Sequence, residues 1–356
     1  MSGPFTGLRA AIAGSGFIGR VHADTLRRLG VEVAAISSRT REGAAKLVAE
    51  LGGGTAYDSV AELLAAERVD VLHVCSPNSA HAEQALAALG QGVHVICEKP
   101  LAVSTDEALR MVDAVSESGL VGATCYHVRG YPLVEEMRAL VAGGDLGEVL
   151  LVHGRYACDD ALHPASGWRL QREASGPSYV VGDLGTHWLD AVEHVTGLRV
   201  EAVLAEFRTH DEQRTDLEET ALLLLRLGGS CAGTAVFTAV TAGRKNQLLL
   251  ECEGLRGGLT WDQERPDELL RRHADRPTEL VLKDAPAARR LAHFPAGHAE
   301  GYGEAFANIL EAAYRAIAGE PNDGYATFED GYRGVALVEA AVASAASGDW
   351  VEPRSL

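Results

Sequence analysis

The sequence is short of positive charge. Against 50 Asp and Glu it carries only 32 Lys and Arg, a formal charge of −18, and just four of those cations are lysines: Lys46, Lys99, Lys245 and Lys283. The acidic residues are scattered along the chain. A surface of that sign repels phosphate backbones and anionic lipid, which argues against nucleic acid or a membrane surface as partner. Long apolar runs are also missing. None reaches membrane-spanning length, and the first, residues 8–13, is too short for a secretory h-region. The cysteines (Cys75, Cys97, Cys125, Cys158, Cys231, Cys252) include no C-x-x-C pair, and most sit inside apolar runs. They read as buried thiols of a cytoplasmic protein, with neither disulfides nor a metal site.

What is present is alternation. Over residues 1–126, apolar strand-like runs at 8–13, 31–37, 69–76, 93–97 and 121–126 are separated by helical patterns. Val21, Leu26 and Leu29 mark one helix face, and Ala44, Leu47, Val48 and Leu51 the next. Ser59-x-x-Glu62 and Ser104-x-x-Glu107 are capping boxes, and Gly30, Gly52 and Gly90 are positioned to close helices. This predicts a Rossmann-type, doubly wound parallel α/β sheet covered on both faces.

From 127 to 356 the texture changes. A helix over 133–141 precedes a strand at 149–156, a long polar loop, and a helix over 184–195 ending at Gly197. Consecutive strand-like runs follow at 200–208, 220–227, 231–240, 247–252 and 258–261, with a hairpin signal at Gly228-Gly229. Helical stretches at 302–318 and 328–347 finish the chain. This second domain reads as α+β with a mostly antiparallel sheet, and its last helices have the option of packing back on the first domain.

The chemistry begins at Gly14-Ser15-Gly16-Phe17-Ile18-Gly19, which follows the first strand and opens a helix. In that context Gly14 permits a tight turn, Gly16 lets the backbone approach a pyrophosphate, and Gly19 lets helix and strand pack closely. NAD(P) is the implied cofactor. No carboxylate stands at the end of the second strand to grip a ribose 2′-hydroxyl. Ser38 and Arg39 stand there instead, and Arg39 tilts the choice slightly toward NADP, although serines there also serve NAD.

Ligands of such sheets gather beyond the carboxyl ends of the strands. Those ends carry Ser76-Pro77-Asn78, then Glu98-Lys99-Pro100, then Tyr126-His127-Val128-Arg129. On the residues alone, Lys99 reads either as a group polarising a substrate oxygen or as a structural partner of Glu98.

Gly14-x-Gly16-x-x-Gly19-x-x-His22, Pro77-Asn78-x-x-His81 and Glu98-Lys99-Pro100, followed by Gly182-Asp183-Leu184-Gly185-Thr186-His187, closely resemble the Gfo/Idh/MocA oxidoreductases. Trp168-Arg169-Leu170 and Gly297-His298-Ala299-Glu300-Gly301 look like the branch acting on sugars and polyols. The resemblance covers nearly the whole chain and implies an open-faced second sheet that forms a homodimer or homotetramer. It also implies Lys99, Asp183 and His187 as catalytic residues. Asp183 and His187, i and i+4 on a helix, share one face, so the carboxylate can orient the imidazole.

Cofactor contacts are expected from Gly14, Gly16, Phe17, Ile18, Gly19, Ser38, Arg39, Ser76, Pro77, Asn78, His81, Glu98, Lys99 and Arg129. Substrate contacts are expected from Lys99, Tyr126, His127, Trp168, Arg169, Asp183, His187 and His298, with Asp159 and Arg172 as further candidates. The family usually has Tyr-Arg-Phe where this chain has Val128-Arg129-Gly130, so the floor of the pocket differs. The expected activity is hydride transfer between the nicotinamide and a secondary alcohol or ketone carbon of a sugar, inositol or sugar derivative. Alternatives are reduction of a keto-sugar in deoxysugar or aminoglycoside assembly, and a non-catalytic dinucleotide sensor.

Overall fold

Apolar runs become strands and amphipathic runs become helices along most of the chain. The structure, a computed structural model, describes residues 5–321 and 324–356. The first elements are β1 (Arg9–Ala13), α1 (Phe17–Leu29), β2 (Glu32–Ser37), α2 (Arg41–Leu51), β3 (Thr55–Tyr57) and α3 (Val60–Ala66). There follow β4 (Val71–Val74), α4 (His81–Leu89), β5 (His94–Cys97), α5 (Thr105–Ser118), β6 (Gly122–Thr124), α6 (Pro132–Ala142), β7 (Val149–Ala157) and α7 (Arg172–Ser175). Next come α8 (Thr186–Thr196), β8 (Val200–Arg208), β9 (Thr220–Leu227), β10 (Ala232–Thr238), β11 (Gln247–Gly254) and β12 (Gly257–Asp262). The chain ends with β13 (Leu269–His273), β14 (Glu279–Val281), α9 (Tyr302–Ile317), β15 (Ala326–Thr327) and α10 (Phe328–Ser347). Two compact units result: residues 1–126 with 306–332 and 356, and residues 127–305 with 333–355.

The first unit holds a seven-stranded sheet in the order β15-β6-β5-β4-β1-β2-β3, parallel except for β15 against β6. Its middle strands are dry: Ala10, Ala11 and Ile12 of β1 and all four residues of β4 have no exposed surface. The order reverses between β1 and β4, so their carboxyl ends border the crevice where such sheets bind ligands. Ser59 and Ser104 cap α3 and α5 through the N–H of Glu62 (3.1 Å) and Glu107 (3.3 Å), each cap contributing about 1 kcal/mol. Gly30 and Gly52 close their helices with φ near +80°. Gly90 does not. It stays right-handed, and the left-handed turn falls to Gly92, two residues later.

The second unit holds an eight-stranded sheet in the order β14-β13-β12-β11-β7-β10-β9-β8. It is antiparallel except where β7 and β10 run side by side in parallel. Strand β9 shows the construction, with Leu223, Leu225 and Leu227 buried while Leu222 and Leu224 remain exposed. One face is therefore core and the other open. Helix α8 lies on β7 and β11, and Trp188 Nε1 donates to the Leu249 carbonyl at 2.9 Å. Gly154 makes room for this, since a Cβ there would stand 2.0 Å from the Leu249 oxygen and 2.6 Å from the indole nitrogen.

Some elements depart from the sequence expectation. Strands β3, β13, β14 and β15 were not legible, being two to five residues long. The helix expected over 184–195 is a π-helical turn, Val181–Gly185, leading into α8. The six cysteines are free and buried, as their apolar surroundings predict. Among the described residues, no helix is long and apolar enough to cross a membrane.

Gly154→Ala should overpack the second unit by about 1–3 kcal/mol. The expected outcome is a fall of several degrees in Tm, measured by calorimetry.

Candidate active site

The glycine loop uses each glycine differently. Gly14 has φ +121°, and a Cβ on it would meet the Cys75 carbonyl oxygen at 2.4 Å. Gly19 presses on the loop itself: its Cβ would lie 2.0 Å from the Gly14 oxygen. Gly16 meets nothing, and space opens above it. It is the N-cap of α1 and supplies no side-chain hydrogen bond, and the first turn of that helix carries no acidic residue. The leading N–H groups of α1 are thus left to an external acceptor, and the helix dipole favours an anion there. This arrangement fits a dinucleotide pyrophosphate. Phe17 beside it is 75% exposed, and Ile18 is half-buried.

Beyond β2, Ser38 Oγ accepts from Ser15 Oγ at 2.9 Å. A Cβ on Gly43 would lie 3.2 Å from the hydroxyls of Ser15, Ser38 and Thr40, so the missing side chain keeps this polar nook open. Arg41 is committed to Asp58 and Glu62. Arg39 is exposed and forms no ion pair among the described residues.

At the end of β4, Ser76 Oγ donates to Gln84 (2.8 Å), Pro77 is exposed and Asn78 is buried. His81 has no exposed surface. Its ring nitrogens contact the carbonyl oxygens of Pro100 (2.9 Å) and Ser76 (3.0 Å), so it ties two strand-end loops together. Burial lowers its pKa despite those bonds. Lys99 precedes Pro100 through a cis bond, and its backbone N–H donates to Glu98 Oε2 at 3.2 Å. Burial pushes the Glu98 carboxyl up, but the His22 hydrogen bond and the charge of Lys99 outweigh it and hold Glu98 below its ordinary range. Tyr126 closes this unit's strand ends, 1% exposed.

In the second unit the π turn brings two of the expected residues to one place. Ser178 Oγ donates to Glu218 (2.5 Å), as does the Val181 N–H (3.3 Å), clamping the entry to the turn. A Cβ on Gly185 would strike the Phe237 ring at 2.9 Å, so the exit packs tightly on β10. Asp183, inside the turn, pairs with Arg169 Nε at 3.2 Å. The guanidinium of Arg169 also lies over Trp168, 4.9 Å from the ring centroid. The Asp183 charge raises the Arg169 pKa, and desolvation together with Asp183 pushes the Asp160 carboxyl up. His187, one turn on, is 4% exposed and meets His127 edge-on with centroids 4.5 Å apart. His127 also contacts Tyr302 (4.8 Å) and Gln263 (3.3 Å).

Several expected contacts are held elsewhere within this unit. Arg129 clasps Asp190 in a two-pronged pair, 2.9 and 2.6 Å. Asp159 accepts from Lys245 (2.7 Å), and Arg172 donates to Asp216 (2.6 Å). His298 is exposed, and its carbonyl accepts from buried Lys283.

Two trios have metal-ligand spacing among the described residues: His22, Glu98 and Cys125, and His153, Glu251 and Glu253. In the first, burial raises the Cys125 pKa well above normal, and both ring nitrogens of His22 already have partners in His73 and Glu98. In the second, Arg272 already pairs with both carboxylates.

Residues 8–126 match the oxidoreductase family with an NAD-binding Rossmann fold, and residues 134–260 match the GFO/IDH/MocA C-terminal domain. Levoglucosan dehydrogenase of Pseudarthrobacter phenanthrenivorans is 30% identical over 317 residues, 80% of each chain. The chain belongs to the Gfo/Idh/MocA oxidoreductase family. D-glucoside 3-dehydrogenase of Escherichia coli is 30% identical over 71% of this chain and 69% of its own. Among solved structures, an inositol dehydrogenase homolog from Azotobacter vinelandii complexed with NAD+ superposes with a TM-score of 0.90 at 28% identity, covering 99% of both chains.

Within this Gfo/Idh/MocA chain, no sequence motif marks Glu218, Tyr302, Gln263 or Tyr156, whose ring centroid lies 6.2 Å from that of His187. Each lies on a different element from the Asp183–His187 segment, and no local pattern marks it. A contrast between two glycines tests the loop. Gly16→Ala should leave Tm unchanged yet weaken NAD+ binding, whereas Gly19→Ala should weaken binding by about tenfold or more and lower Tm. Titration calorimetry beside thermal melts separates the two.

Proposed function

We propose that this oxidoreductase oxidises a secondary hydroxyl of a sugar, an inositol or a related polyol to the ketone, or runs that reaction in reverse. The observation that carries the reading is the Asp183–His187 segment: a buried imidazole one turn from a carboxylate, with Arg169 stacked on Trp168 beside it. An indole face next to charged donors suits a ring with apolar C–H faces and many hydroxyls. The names of the relatives support the same substrate class.

In this reading His187 takes the proton of the substrate hydroxyl, Asp183 orients the imidazole, and Lys99 polarises the reacting oxygen. The bound nicotinamide supplies the acceptor for the hydride that leaves the same carbon. Gly14, Gly16, Phe17, Ile18 and Gly19 hold the pyrophosphate, Ser38 and Arg39 meet the adenine ribose, and Ser76, Pro77, Asn78 and Glu98 line the nicotinamide side. His81 and Arg129 serve by fixing their loops. Tyr126, His127, Trp168, Arg169 and His298 remain substrate contacts to be tested. NADP preference rests on Arg39 alone. Free buried cysteines fit a reducing cytoplasm.

A panel of levoglucosan, myo-inositol, methyl glucosides and their keto forms, with each nicotinamide, tests the reading by absorbance. Turnover is expected, and Lys99→Met or His187→Ala should lower kcat by about 100-fold or more. Near-normal kcat in those variants refutes the roles, while tight dinucleotide binding without turnover of any compound points to a sensor. An unchanged KM for NADP in Arg39→Ala removes the case for that cofactor.

The open face of the second sheet exposes Leu222, Leu224, Val236, Leu270 and Leu280, an apolar surface of the kind that pairs copies into a homodimer or homotetramer. Leu224→Lys should then shift sedimentation toward the monomer.

A further inference from the structure

A buried chain of polar side chains runs through the first unit. Tyr314 Oη lies 2.9 Å from Nε2 of His73, and His73 Nδ1 lies 2.7 Å from His22 Nδ1. His22 Nε2 in turn reaches Glu98 Oε1 at 3.2 Å, and the second oxygen of Glu98 accepts the backbone N–H of Lys99. His22, His73 and Tyr314 have no exposed surface. They come from α1, β4 and α9, elements distant in sequence that meet only on folding.

Burying such groups is costly unless every bond is made. Strand β4 reads Val-Leu-His-Val, and an apolar residue at 73 would fit its dry setting as readily. The chain nevertheless closes link by link. Burial, reinforced by His22, keeps His73 well below its usual pKa and therefore neutral. The 2.7 Å contact between two Nδ1 atoms has room for one proton, so one ring donates to the other. Glu98, held ionised, only accepts. A carboxylate anchored on one side by three linked groups presents its other oxygen in a fixed place, and that place is the backbone of Lys99.

We propose that His22, His73 and Tyr314 are positioning residues for Lys99, acting through Glu98 to fix the lysine at the mouth of β5. The functional consequence rests on the catalytic role of Lys99 argued above. A misplacement of about 1 Å at a reacting group can cost on the order of 100-fold in rate.

The scarcity of lysine makes the test direct. This 356-residue chain labelled with 15N-lysine gives four backbone amide signals, and Lys99→Arg identifies that of Lys99. In Tyr314→Phe and His73→Phe, the Lys99 amide should exchange with solvent about tenfold faster or more, while Lys46, in α2 of the same unit, keeps its wild-type rate. His73→Gln, which restores a donor and an acceptor, should recover more of that protection than His73→Phe. With a substrate from the panel, kcat should fall while KM for the dinucleotide stays within about twofold. Unchanged Lys99 exchange in both variants overturns the proposal. So does acceleration shared by Lys46, which would mean a general loosening. If Lys99→Met keeps full turnover, the catalytic reading falls alone, because the exchange measurement needs no substrate.

Discussion

Where β1 ends, two stretches of backbone meet with no side chain between them. Gly14 lies over the carbonyl of Cys75, and Gly19 lies against Gly14 in turn. That double approach draws the start of α1 down onto the sheet. With the helix seated there, Gly16 faces open space at its N-terminus, and His22, one turn later, points inward to Glu98. A dinucleotide cradle and a lysine support are thus two results of one steric allowance. Any Cβ at either glycine would disturb both.

The second unit reaches its geometry by different means. No glycine turn places Asp183. A widened helical turn does, clamped at its entry by Glu218 and pressed at its exit by Phe237. Wide turns of this kind are rare and occur often at functional sites. Burial pushes the Glu218 carboxyl up, opposed by the hydrogen bonds from Ser178 and Val181, so the clamp is a weakly acidic group in a dry setting.

Much of the fold was legible because it is periodic. Runs 200–208, 220–227 and 328–347 coincide with β8, β9 and α10, each carrying a clear apolar rhythm. Strand β13 was not, since Leu-Leu-Arg-Arg-His has no rhythm and depends on β12 for its place. The π turn was hidden because its clamp lies 37 positions away in sequence. The strand-end rule gathered Lys99 and Glu98, but it also gathered Arg129, whose partner Asp190 is 61 positions distant. The motif marks His81 as a cofactor contact, and packing shows what it does not, a ring whose two nitrogens lie 2.9 and 3.0 Å from the carbonyl oxygens of Pro100 and Ser76. Motifs identify residue types suited to a site; only packing shows which of them point into it.

The parallel pairing of β7 with β10 has a consequence in time. Leu151 is matched to Ala232, 81 positions later, and the other neighbour of β7, β11, is made later still. At roughly 5–20 residues per second, a ribosome leaves β7 without either neighbour for about 4–16 s. Through that interval its unmatched backbone and the apolar residues Val149, Val152 and Tyr156 are open to other chains. How long β7 stays unpaired during synthesis is set by where one strand was inserted in the order of a sheet.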